Sequence, residues 1–220
     1  PTATNAIEAA KGIAYAHAMN LPIDESKIPS FVKPFLEMGQ KIGFLESQMN
    51  KSQILAIKVS GCGEISQYVD SLATFVAVGA MSQTSGETIN YVNADFVAKE
   101  KGIKIDSESL CDSSVYKNLI TIKITTAEGT TSISATIFDD GVQRLVAING
   151  FDIEVSLRGD MIFFKNPDVP GVIGNIGTTL ANNNVNISDF SLSRNKEAEA
   201  LAVILVDGAV SDAALNVEHH

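Results

Sequence analysis

Residues 165–194 read KNPDVPGVIGNIGTTLANNNVNISDFSLSR. A strand ends on Asn166-Pro167-Asp168, a Pro-Gly pair turns the chain into a helix, and Asn182-Asn183-Asn184 break that helix before a new strand. Pro170 suits a first helical turn, where its missing N–H costs nothing and its fixed φ is already helical. Gly171 lets the backbone approach another group closely. The N–H groups of Val172 and Ile173 then face out of the positive end of the helix dipole, where a carboxylate is the natural guest. Asp168, acceptor-only when ionised, suits an ammonium group. Asn186 begins the returning strand, and its amide can both donate and accept. A carboxylate receiver beside an ammonium receiver describes an amino-acid site. The same residues also fit a plainer role, with Asp168 capping the helix and the asparagines supplying left-handed turns. Spacing alone does not separate the two.

Outward from that stretch, MIFFKN (161–166) opens a β-α-β-β unit. Its helix runs from about 170 to 182, its later strands cover 185–193 and 200–206, and SDAAL (211–215) starts another helix. Between 117 and 155 the apolar period is two, predicting four strands punctuated by EGT, DDG and NG turns. Earlier, ILAIKVSG (54–61) alternates as a strand. Residues 33–49 place Phe35, Met38, Ile42, Leu45 and Met49 at helical spacing, and 66–82 do the same with Val69, Leu72, Ala73, Val76 and Ala80. INYVNADFVAKEKGIKI (89–105) reads as a short strand, a short helix opened by Asn93 or Asp95, and a Gly102 stop before another strand. TNAIEAAKGIAYAHAM (4–19) reads as an alanine-rich helix capped by Thr4, followed by a polar, proline-bearing linker over 21–30. The fold class is α+β, with a mixed middle domain before the small C-terminal unit.

Composition narrows the function. The 220 residues are 45% hydrophobic and 19% charged, which suits a globular chain with a real core. The net charge is −10, and Arg144, Arg158 and Arg194 are the only arginines. Such a surface repels phosphate backbones, which excludes nucleic acid as the expected partner. No apolar run reaches the roughly 18–20 residues that span a bilayer, so no membrane partner is expected. Cys62 and Cys111 have neither a metal-ligand spacing nor a disulfide framework, and no secretory signal precedes them. Both read as reduced thiols in the cytoplasm. No metal site is expected. GCGEIS (61–66) lacks the third glycine of a dinucleotide fingerprint and reads as a strand-to-helix turn. His17 reads as a packed helix residue, Asp139-Asp140-Gly141 as a hairpin turn, and VEHH (217–220) as a tag remnant.

NPDVPGVIGNIGTTLANNNVNISDFSLSR followed by EALAVILVDG resembles an ACT domain, the βαββαβ ferredoxin-like module that binds amino acids at subunit interfaces. INYVNADFVAKEKGIKI, NLITIKI and VQRLVAINGFDIEVSLRGDMIFFKN resemble the intervening domain of long-form D-3-phosphoglycerate dehydrogenases. TNAIEAAKGIAYAHAM is similar to the helix that follows the dinucleotide-binding domain in that family. The resemblance implies a chain divided into 1–29 (helix and linker trailing catalytic domains), 30–159 (intervening domain), 160–216 (ACT domain, incomplete at its C-terminus) and 217–220 (tag). It implies NAD as the parent enzyme's cofactor, none in this piece, and no catalytic residues here. It implies feedback by L-serine of the first committed step of serine synthesis in a homo-oligomer. Serine would be held at Asn166, Asp168, the Gly171-Val172-Ile173 helix start and Asn186. A phosphorylated, substrate-like anion is implied at Arg144 and near Arg158, where Ser156 occupies the matching position. The missing fourth ACT strand implies an open sheet edge. The effector-binding portion of an iron–sulfur L-serine dehydratase and a free-standing amino-acid sensor are the alternatives. The first would need cysteines beyond these two.

Overall fold

The computed structural model describes residues 6–10, 28–83, 88–110, 115–167, 169–195 and 199–208, with 6–10, 166 and 167 described by backbone alone. Helices α1 (Val32–Met49) and α2 (Val69–Met81) pack together over a six-stranded sheet. That sheet holds β2 (Ile54–Gly63), β3 (Lys104–Ser109), β4 (Asn118–Thr126), β5 (Gly129–Ile137), β6 (Gln143–Ile148) and β7 (Phe151–Ser156). Its order is β3-β2-β4-β5-β6-β7, with β2 and β3 parallel and every other pair antiparallel.

The local sequence explains these elements. Phe35, Met38, Ile42 and Leu45 of α1 are all buried, as their spacing predicts. Small residues let α1 and α2 touch backbone to backbone. A Cβ placed on Gly43 would lie 2.2 Å from the Val76 carbonyl oxygen, and one on Gly79 2.0 Å from that of Gln40. Asn149 and Gly150 both have positive φ, 50° and 84°, as the tight β6–β7 hairpin requires. The edge strand β3 is largely exposed and charged, with Lys58–Glu108 and Lys104–Asp106 ion pairs along it, which discourages edge-to-edge pairing.

The second sheet has the order β1-β8-β10-β9 and is antiparallel throughout. Its strands are β1 (Ala6–Ala10), β8 (Asp160–Pro167), β9 (Asn186–Arg194) and β10 (Glu199–Asp207). Helix α4 (Val172–Asn182) covers one face, burying Ile176 and Leu180 with Ile162, Phe164, Ala202, Ile204 and Val206. The alternate residues Met161, Phe163, Leu201, Val203 and Leu205 join the core under α1 and α2. Burial on both faces is why MIFF and LAVILV are continuous apolar runs, since a one-faced strand would alternate.

Five expectations need correction. Residues 6–10 form a strand where a helix is expected from alanine content, because pairing with β8 outweighs local propensity. The rest of that segment, with His17, lies outside the described residues, as do Cys111 and the helix expected at 211–215. The outer edge of β8, expected to be open, carries β1. The strand expected at 89–92 is a turn: the Asn90 and Asn93 side chains bond the backbone N–H groups of Val92 and Asn90, leading into α3 (Ala94–Glu100). The last helix begins at Val172, so Pro170 stands in the turn ahead of it, and Asn184 alone of the three asparagines is left-handed, φ 55°.

Candidate functional site

Strand β8 carries Asn166 to the end of the second sheet, opposite Ala200 of β10. The Asn166 side chain and all of Asp168 lie outside the described residues. The chain then turns through Val169 and Pro170 to Gly171, the N-cap of α4, with φ 94°. A glycine holds this left-handed conformation without the strain that a Cβ would bring. Gly171 has no side chain to cap the helix, and the first turn of α4 holds no acidic residue. The N–H groups of Val172, Ile173 and Gly174 have no partner within the helix, because the first returning bond is Asn175 N–H to the Gly171 oxygen, 3.0 Å. Their dipoles sum to a positive end suited to a carboxylate.

Beside that helix start lies a cavity of about 280 Å³. Phe164, Ala200, Ala202 and Leu192 form its floor, and Val172 and Ile176 its roof. Val169 and Ile173 flank the mouth, about half exposed, and Arg194 stands at the end of β9 beside it. The floor residues escape a reading of the helix start alone. They lie on alternate positions of β8, β9 and β10, so strand periodicity is the signal that finds them.

Asn186 is not at this spot. It opens β9 at the far end of the sheet, paired with Asp207, and its Nδ2 donates to Asp207 Oδ2 at 2.8 Å. Arg194, eight residues on, pairs with Ala200 at the near end. Eight strand steps put roughly 26 Å between the two ends. Within one chain, Asn186 and the Val172-Ile173 helix start therefore cannot grip one amino acid.

The second pair of candidate residues sits on the other sheet. Arg144 donates from both terminal nitrogens to Asp140, at 3.1 and 2.8 Å, and its Nε lies 3.3 Å from Glu154. Its guanidinium also covers the Phe138 ring at 4.4 Å. The Arg144 hydrogen bonds, with the Val142 N–H, hold the Asp140 carboxyl below its ordinary value, and the Asp140 carboxylate raises Arg144 in turn. An anion arriving at Arg144 would have to displace one of two carboxylates. Arg158 is exposed, two residues beyond Ser156, the register partner of Arg144.

Gly61-Cys62-Gly63, expected as a turn, instead extend β2, where they pair with Ile120, Leu119 and Asn118 of β4, and they do not fit a dinucleotide. A Cβ on Gly61 would meet Val69 at 2.7 Å, and one on Gly63 the Lys117 carbonyl oxygen at 2.0 Å. These glycines make room for protein, and Cys62 between them is buried. No step involving NAD is assigned to these residues.

Comparison with known proteins follows the same division. Residues 31–149 match the family model of the D-3-phosphoglycerate dehydrogenase intervening domain, and residues 161–218 that of the ACT domain. The chain is 31% identical to the D-3-phosphoglycerate dehydrogenase of Bacillus subtilis over 208 residues, which are 94% of this chain and 40% of that protein. It is 28% identical to the enzyme of the same name from Synechocystis, over 93% of this chain and 38% of that one. For Archaeoglobus fulgidus the identity is 27%, over 93% and 40%. The chain spans about 40% of the length of these curated relatives. The sheet order, in which the strand after α4 is outermost and the next strand central, is the ferredoxin-like arrangement of an ACT domain. The chain belongs to the D-3-phosphoglycerate dehydrogenase intervening-domain family and carries an ACT domain behind it.

Proposed function

We propose that this chain is the regulatory, effector-binding portion of an NAD-dependent D-3-phosphoglycerate dehydrogenase of serine biosynthesis, and that L-serine is its feedback effector. The observation that carries this reading is the α4 start, where Gly171 leaves three backbone N–H groups without a helix partner beside a cavity. The serine carboxylate meets those groups, and the ammonium meets Asp168. NAD and the chemical step belong to other parts of the enzyme.

The separation of Asn186 from this spot favours a two-copy site. Among the described strands, β9 is an edge of its sheet. A second copy, turned end for end beside β9, brings its own Asn186 to the first copy's helix start. Serine then bridges two ACT domains of a homo-oligomer. Regulation follows if serine binds one arrangement of the pair more tightly than the other.

Isothermal titration of L-serine, with glycine and D-serine as controls, tests the reading. Stereoselective binding is expected. Asp168→Ala weakens it by about 1–3 kcal/mol, the range for a lost charge-assisted hydrogen bond. Asn186→Ala weakens it comparably and lowers the stoichiometry of paired chains. No heat with L-serine would overturn the serine assignment, and unchanged affinity in Asp168→Ala would remove that residue from the site.

A further inference from the structure

We infer that residues 6–10 form a detachable strap on the ACT sheet, exchanging between the strand β1 held on β8 and the helix that the local sequence favours. A conflict between sequence and fold carries this inference. AIEAA (6–10) lies within TNAIEAAKGIAYAHAM, whose alanines and glutamate favour a helix. Alanine and glutamate are depleted in strands, and Ile7 is the one good strand former of the segment. Yet Ala6 to Ala10 pair antiparallel with Lys165 to Met161. The register also sets Glu8 opposite Phe163, whose other neighbour is Val203, and both of these join the core under α1 and α2. A charged residue at such a position weakens an edge strand. A segment whose local preference opposes its place in the fold is held by a narrow margin.

The surroundings make the exchange local. Among the described strands, β1 is paired on one side only, at the end of the order β1-β8-β10-β9. Strand β8 is held without it. Ile162 and Phe164 pack with α4, Met161 and Phe163 join the core under α1 and α2, and β10 pairs with β8 from Asp160 to Pro167. Loss of β1 therefore uncovers the outer edge of β8 and leaves both cores closed, which is a partial opening of low cost. A helix bonds its own backbone N–H and C=O groups, so the released segment does not leave them bare. In the strand state the chain ahead of α1 is tied to the ACT sheet. In the helical state that tie is cut. Whatever favours one state of the β8 edge is thereby felt on the N-terminal side of the chain, and the reverse holds by linkage.

The experiment is amide deuterium exchange of the 220-residue chain, read by NMR. The amides of Ala6 to Ala10 and the alternate amides of β8 that face β1 are expected to exchange together, about a hundredfold faster than those of β10. Glu8→Val, apolar and β-branched, slows this opening roughly fivefold, and Ile7→Ala speeds it as much, the span of strand preference written as an equilibrium constant. Ile7→Ala also raises the far-ultraviolet helix signal. An unmoved global melting transition separates these effects from misfolding. Ala6→Cys with Lys165→Cys joins register partners, whose Cα separation in an antiparallel pair lies within disulfide range. Oxidation of that pair, with each single cysteine as control, should bring β1 to the protection of β10. Protection of β1 equal to that of β10 in the unlinked chain overturns detachment. Faster opening in Ile7→Ala without a gain of helix overturns the helical state. A cross-link between two chains, or none, overturns the strap as an internal device.

Discussion

At the scale of single residues, charge pairs fix loops that the apolar pattern leaves undetermined. Asp140 accepts from the Val142 N–H at 2.9 Å and from Arg144, so one carboxylate closes the β5–β6 loop and anchors a strand across it. Its pKa is lowered in the folded chain, first by Arg144 and then by the backbone bond. A depressed carboxyl stabilises the fold above its unfolded pKa, and that contribution disappears as pH falls through its folded value. Arg144→Gln should move the Asp140 midpoint upward, followed by carboxyl-carbon NMR titration. An unmoved midpoint would mean that the guanidinium bonds are absent in solution. That Asp139-Asp140-Gly141 makes a turn is legible from residue type alone. That Asp140 neutralises Arg144 is not, because the pairing depends on where β6 emerges from the loop. The anion-site expectation for Arg144 therefore overlooks a partner only four positions away.

Among elements, the contact of α1 with α2 shows what spacing conveys and what it omits. The apolar stripes of both helices are readable in the sequence, and so are the strands over 118–156, because each buried set repeats at the period of its element. Gly43 and Gly79 are not part of either stripe, yet they set how near the helices come. Gly79→Ala forces a carbon onto the Gln40 carbonyl oxygen and should cost about 3 kcal/mol, the upper part of the range for overpacking. Gly174→Ala, with nothing within 4 Å and an exposed helical position, should stabilise by about 0.5–1 kcal/mol. Urea denaturation of the two variants tests the contrast, and equal effects would rule out the close helix approach. Strand β1 marks the limit of local reading. An alanine-rich segment favours helix by propensity, and only the distant partner β8 selects the extended form. The distance between Asn186 and the α4 start is hidden for a related reason: register along β9 is set by pairing with β10, which no local pattern encodes.

For the whole molecule, the central fact is that β8 and β10 of the ACT sheet carry buried residues on both faces. One face belongs with α4, and the other completes the core of the intervening domain. Two family modules in sequence suggest two independent folding units, but the shared core predicts one. Leu205→Ala, at a buried position on the shared face, should cost about 2–5 kcal/mol and lower a single calorimetric transition. Two separable transitions, only one of them shifted, would show that the modules melt apart. Strand β10 follows from this arrangement. Seven of its nine residues are buried, and it is hydrogen-bonded to β8 on one side and β9 on the other. Its amide protons can trade with deuterium only when the entire chain opens, whereas those of the exposed strand β3 escape through local fraying. A ligand that binds the folded form must therefore slow deuterium uptake in β10, by the factor 1 + [L]/Kd, without touching that strand's backbone. Mass spectrometry of that one peptide would rank candidate effectors by affinity before any contact residue is known.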